Sequence, residues 1–121
     1  MENTRKLVEK INTLFEEGNM ESFMDYLADD VVWEMFTSSS GHTTMNGKKE
    51  VFDMDDSGMP EHTGFEFGTI VVEGETASVQ GKSTGKLKDG TEYNGHFCDV
   101  YHFRNNKIVK IESYVIDSRK I

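Results

Sequence analysis

Between Thr4 and Glu17 the apolar residues Leu7, Val8, Ile11, Leu14 and Phe15 recur three and four positions apart, with Arg5, Lys6, Glu9 and Lys10 between them. This period predicts a helix over residues 4–17 with one stripe turned to a core. Gly18-Asn19 supplies the left-handed residues that stop such a helix. A second helix, over residues 20–28, is predicted to bury Phe23 and Leu27. After Asp29-Asp30 the pattern changes to Val31-Val32-Trp33-Glu34-Met35-Phe36, whose β-branched and aromatic residues predict a strand over 31–36. Ser38-Ser39-Ser40-Gly41 is expected to be a loop. Gly47-Lys48-Lys49-Glu50 opens a third predicted helix, over 47–57, which carries Val51, Phe52 and Met54 and ends near Gly58-Met59-Pro60 because proline disfavours helix in the residue before it.

From residue 62 onward the chain predicts four long antiparallel strands, cut by turn signals at Glu73-Gly74-Glu75, Lys88-Asp89-Gly90 and Asn105-Asn106. In the third of them alternation separates Tyr93, Gly95, Phe97, Asp99, Tyr101 and Phe103 from Asn94, His96, Cys98, Val100 and His102. The aromatic set must line the covered face. The preceding strand offers Ala77, Val79, Gly81, Ser83 and Gly85 to one face. Residues this small either leave room for a pocket or serve to bend a curved sheet, and the two roles are compatible. The fold class is therefore α+β: three N-terminal helices against an antiparallel sheet.

Composition narrows the function. With 121 residues the chain is the size of one domain, and 36% hydrophobic against 29% charged residues is ordinary for a globular protein. Asp and Glu number 22 against 13 Lys and Arg, a net charge of -9 without a basic run, so nucleic acid and anionic membrane surfaces are poor partners. The single cysteine, Cys98, excludes an internal disulfide and a cysteine-based zinc site. No apolar run is long enough to span a bilayer as a helix, and a cytoplasmic protein is expected.

The order helix, Gly18-Asn19, helix, Tyr26-Leu27-Ala28-Asp29-Asp30-Val31-Val32-Trp33, then Met45-Asn46-Gly47-Lys48-Lys49-Glu50-Val51, and finally Asp99-Val100-Tyr101-His102-Phe103-Arg104 running to Lys107-Ile108-Val109-Lys110-Ile111 and Tyr114 resembles the SnoaL-like and ketosteroid isomerase-like branch of the nuclear transport factor 2 superfamily. The resemblance spans nearly the whole chain, residues 1–121 as a single domain. It implies a cone-shaped fold in which the helices close a strongly curved sheet, and a homodimer formed through the outer sheet face. It does not select a reaction, since that fold hosts isomerases, cyclases, dehydratases, hydrolases and plain binding proteins. Where ketosteroid isomerases carry their general-base aspartate this chain has Met35, and where they carry an oxyanion tyrosine it has Ile11. Only their protonated aspartic acid has a counterpart, Asp99. SnoaL-type cyclases place an acid/base aspartate near the end of the final strand, where Asp117 stands.

Asp99 is the leading catalytic candidate. Alternation sets it among Phe97, Tyr101 and Phe103, where a carboxylate loses hydration and its pKa rises, so that it can donate to a carbonyl or enolate oxygen. The plainer alternative is a buried aspartate satisfied by its neighbours. Tyr101 is a second catalytic candidate on the same face, and Asp117 or Glu34 a proton acceptor. Trp33, Met35, Phe52, Met54 and Phe97, with Met59 nearby, are expected to line a pocket suited to a flat apolar ligand, the seven methionines giving it a pliable wall. No metal site is expected, because His42 and His62 are placed in loops while His96 and His102 stand apart on the opposite face from Asp99. No cofactor motif occurs. Two readings follow: a pocket protein acting by acid/base chemistry on a carbonyl compound, or a non-catalytic homodimeric binding domain.

Overall fold

The computed structural model describes residues 3–38, 41–54 and 61–117. Helix α1 spans Thr4–Glu17 and buries Leu7, Val8, Ile11 and Asn12. Asn3 caps its start by accepting the Arg5 N–H at 2.9 Å. Gly18 ends it at φ 69, and the Asn19 N–H reaches back to the Leu14 carbonyl at 2.8 Å. The side chain of Asn19 then accepts the Ser22 N–H at 3.1 Å and opens α2, Met20–Met24. This helix is shorter than its pattern predicts. The Tyr26 carbonyl accepts the Ile108 N–H at 2.7 Å, and sheet pairing claims the chain from Leu27 onward.

Six strands follow in one sheet: β1 Leu27–Thr37, β2 Gly41–Asn46, β3 Glu61–Glu73, β4 Thr76–Lys86, β5 Glu92–Arg104 and β6 Lys107–Asp117, in spatial order β2-β1-β6-β5-β4-β3. The last four are the predicted antiparallel meander. The turns between them fall where expected, at Gly74 (φ 59), Gly90 (φ 87) and the Asn105-Asn106 pair (φ 52 and 63). The sheet departs from the sequence expectation. Strand β2 occupies part of the segment expected to be loop and makes His42 a strand residue, as His62 is in β3. One pair of the sheet, β1 with β6, is parallel. Helix α3, Lys48–Phe52, stops short of the predicted 57; Met54 is already outside it, and residues 55–57, Met59 and Pro60 lie outside the described residues.

The strands share one inner face that α1 and α2 cover. Alternation and register place Trp33, Ile111, Tyr101, Ala77 and Val72 in one inner row and Met35, Ser113, Asp99, Val79 and Ile70 in the next. Irregular register in β1, β3 and β5 bends the sheet around the helices. The interior is filled at one end by Leu7, Val8, Ile11, Leu27, Val31, Ile108 and Ile111, all 2% exposed or less. Towards the other end the inner residues Trp33, Met35, Phe65, Phe67, Phe97 and Val115 keep part of their surface.

The small residues of β4 and β5 do not simply leave empty volume. A Cβ on Gly81 would lie 2.5 Å from the Glu66 carbonyl and 2.7 Å from the Phe97 ring, and one on Gly95 would collide with the Tyr93 hydroxyl. Each glycine is the bed on which an aromatic ring lies, so the room they create is taken up by the wall of the site.

Candidate functional site

Asp99 stands at the boundary between the filled and the open ends. On β5 its inner-face neighbours are Phe97 and Tyr101, and across the ladders it faces Val79 of β4 and Ser113 of β6. Protein crowds its carboxylate, yet the residue keeps some accessible surface. Loss of hydration raises its pKa from 3.8 to about 6, and a hydrogen bond with the Ser113 side chain opposes the rise. Ser113 is itself 3% exposed, and its Oγ accepts the Trp33 Nε1–H at 2.9 Å. The indole thereby fixes the serine, and the serine fixes one side of the carboxylate. Ser113 escaped the sequence reading because a lone serine in an alternating strand carries no signal until register puts it opposite Asp99.

A run of aromatic contacts extends from Trp33 along the inner face. Trp33 meets Phe23 edge-on at 5.8 Å, Phe23 meets Phe15 at 4.8 Å, and Phe15 meets Phe65 at 5.7 Å. Phe67 and Phe97 pack edge-on at 5.6 Å. Among the side chains described, none on the inner face is basic, and one buried side-chain oxygen, Asn12 Oδ1 on α1, has no hydrogen-bond partner.

The other candidates separate. Tyr101 is on the inner face but only 1% exposed; its ring is sealed into the filled end, and burial together with the Asp99 charge drives its pKa well up, so it stays a neutral phenol. Asp117 is on the inner face of β6, four positions beyond Ser113 and so roughly 13 Å along the strand from the partner of Asp99. Its backbone N–H is held by Ser38 Oγ at 2.9 Å. Glu34 does not share the interior. It alternates to the outer face, where its carboxylate lies 3.3 Å from His42 and 3.6 Å from Lys110. Phe52 is 75% exposed because α3 turns Val51 inward instead. Trp33, Met35, Met54 and Phe97 are partly buried, and the first three pack against the core.

On the outer face His102 contacts Glu112 at 2.7 Å, and Tyr114, Phe36 and His42 form a stacked row with centroids 5.1 and 4.4 Å apart. Cys98 is also there; burial first and the Asp99 charge second raise its pKa, which leaves a protonated, weakly nucleophilic thiol. A half-open hollow of about 310 Å³ on this face is bordered by Glu66, Lys82, Thr84, Asn94 and His96 and holds none of the predicted site residues. Among the described residues, no three His, Cys, Asp or Glu side chains gather as a metal site would require, and no helix is long and apolar enough to cross a membrane.

The sequence profile of the SnoaL-like domain matches residues 8–111. No curated protein sequence matches the chain. Similar solved structures include a Mesorhizobium loti protein provisionally described as a SnoaL-like polyketide cyclase, with 18% identity over 93% of this chain and 99% of that one and a TM-score of 0.74. A protein of ketosteroid isomerase-like fold from Catenulispora acidiphila, in complex with trimethylamine, has 16% identity over 93% and 86% and a TM-score of 0.72. An NTF2-like protein from Burkholderia pseudomallei has 21% identity over 93% and 90% and a TM-score of 0.75. At these identities the likeness is one of fold.

Proposed function

The chain belongs to the SnoaL-like domain family of the nuclear transport factor 2-like superfamily, and from that membership and the placement of Asp99 we propose a small-molecule pocket protein that binds a flat, apolar or aromatic carbonyl compound on the inner face of its sheet. Asp99 exchanges a proton with the ligand, as an isomerase, cyclase or dehydratase would require. The carrying observation is the desolvated carboxylate held by Ser113 among the rings of the inner face. Ionised, it takes a proton from carbon beside the carbonyl; neutral, it donates to the carbonyl oxygen. Trp33, Met35 and Phe97 orient the ligand by apolar contact. This reading requires neither metal nor cofactor.

A second reading, a homodimeric binding domain without turnover, is favoured by the distribution of the other acids. Met35 and Ile11 occupy positions where the related isomerases carry catalytic groups, and Glu34 and Asp117 stand on the outer face and far along β6. The proposed cytoplasmic homodimer uses the outer face, where Tyr114 and Ile116 are 44% and 61% exposed. Light scattering of Val100→Asp against the unaltered chain tests this, and a monomer in both removes the dimer. For the pocket itself, thermal shift against aromatic and polyketide-like carbonyl compounds is the first experiment, since a ligand of the native state raises Tm. Turnover of a hit that Asp99→Asn abolishes establishes the enzyme; binding that leaves the compound unchanged selects the second reading.

A further inference from the structure

Among the described side chains, the inner face offers Asp99 hydroxyls and rings but no cation. Of the polar hydrogens beside Asp99, that of Trp33 is committed to Ser113 Oγ and that of Ser113 to the carboxylate, and the neutral Tyr101 phenol brings an O–H but no charge. The remaining lone pairs of Asp99 are left over; separately, on α1, the buried Oδ1 of Asn12 has no partner. Buried acceptors without donors are costly, and a buried carboxylate without a counter-charge more so. The groups facing Asp99 supply no such charge: Val79 from β4, Ser113 from β6, Met35 and Trp33 from β1, Phe97 and the neutral Tyr101 from β5. The buried face of α1 contributes Leu7, Val8, Ile11 and Asn12, none of them basic. The described groups thus leave the ionised carboxylate without a counter-charge, a role that a bound cation can fill.

The walls fit the same chemistry. Trp33, Phe67 and Phe97 are partly exposed rings around an acidic group, and aromatic faces attract organic cations, most strongly where water is excluded. The net charge of -9 draws cations towards the molecule from a distance. We propose that the interior site takes a protonated amine on a flat apolar body, its N–H donated to the Asp99 carboxylate and its carbon substituents packed on the rings of Trp33 and Phe97. This inference rests on the pocket reading above and specifies the group that meets Asp99. The two ligand classes use different forms of one residue: a carbonyl oxygen needs the neutral acid, an ammonium the carboxylate. With a pKa of about 6 the carboxylate predominates at neutral pH.

The test compares protonated N,N-dimethylbenzylamine with its neutral isostere isobutylbenzene, and with acetophenone, at pH 7.5, following the Trp33 indole N–H by NMR. The amine is expected to shift that resonance and to bind at least tenfold more tightly than isobutylbenzene, and Asp99→Asn to remove that preference. Equal binding of amine and isostere overturns the inference and leaves the pocket reading standing. So does a response to acetophenone alone. If none of the three moves the Trp33 signal, both readings fall together. Should Asp99→Asn fail to fold, the contrast between amine and isostere on the unaltered chain decides the question by itself.

Discussion

The two faces of the sheet are built from the same strands one residue out of phase, and they treat their carboxylates in opposite ways. On the outer face Glu34 sits between His42 and Lys110, and Glu112 sits against His102. On the inner face Asp99 meets a serine hydroxyl, rings and aliphatic side chains, with no cation among the described side chains. A fold selected for stability alone would place the unpaired acid outside, where water solvates it at no cost. The inverse arrangement puts the cost of an unpaired carboxylate on the helix-covered face, where a cationic partner would offset it.

The largest test of that difference is the pH dependence of Asp99→Asn. A carboxyl whose pKa rises from 3.8 unfolded to about 6 folded binds more protons in the native state between those values, so native stability falls as pH rises through that window. Below the lower value the aspartic acid carries no penalty; above the upper one the penalty is complete, about 3 kcal/mol for a shift of this size and less to the extent that water reaches the carboxylate. Asparagine carries no such charge. Urea unfolding of the two proteins should therefore give a stability difference that moves in favour of the variant from pH 4 to pH 7 and is constant above. A difference independent of pH would mean that the inner carboxylate is as well solvated as the outer ones.

Ser113→Ala sharpens the comparison from the partner's side. It removes the hydrogen bond that opposes the rise in the Asp99 pKa and leaves the Trp33 N–H unpaired. Stability should drop by about 1–2 kcal/mol at neutral pH, and the Asp99 carboxyl should titrate above about 6, which carbon-detected NMR reads directly. An unchanged titration would mean that Ser113 packs beside Asp99 without governing it.

How much of this arrangement was legible in the sequence depended on which face of a strand is covered. In β5 the alternation of Phe97, Asp99, Tyr101 and Phe103 against His96, Cys98, Val100 and His102 sorts the two faces, because one of them is buried and selects aromatic residues. In β2 that signal is missing: of Gly41–Asn46 only Met45 is buried, so an edge strand looked like loop. The outward position of Glu34 was implicit in the same alternation that put Trp33 and Met35 inside, but a strand buried partly on both faces, as β1 is, blurs the contrast. The filling of Gly81 and Gly95 by the rings of Phe97 and Tyr93 depends on rotamers and on close approach, which composition does not record. The parallel pairing of β1 with β6, which brings Trp33 to Ser113, joins residues 80 positions apart and leaves no local trace.

The smallest expected effect completes the contrast, and it comes from Glu34. Its contacts to His42 and Lys110 are made by side chains that are 49% and 41% exposed, with Glu34 itself at 25%. Water and salt screen such pairs, and holding long side chains in one geometry costs entropy, so exposed ion pairs contribute about 0–1 kcal/mol. Glu34→Gln keeps the shape and removes the charge. It should lower stability by less than about 1 kcal/mol, with a loss that shrinks further in high salt, and it should leave the Trp33 indole resonance and its response to ligand unchanged, since the side chain lies on the other side of the sheet. A loss of ligand response in this variant would place Glu34 in communication with the interior and erase the separation of the two faces; a salt-sensitive loss of stability without it would show that the acid outside is held by its neighbours.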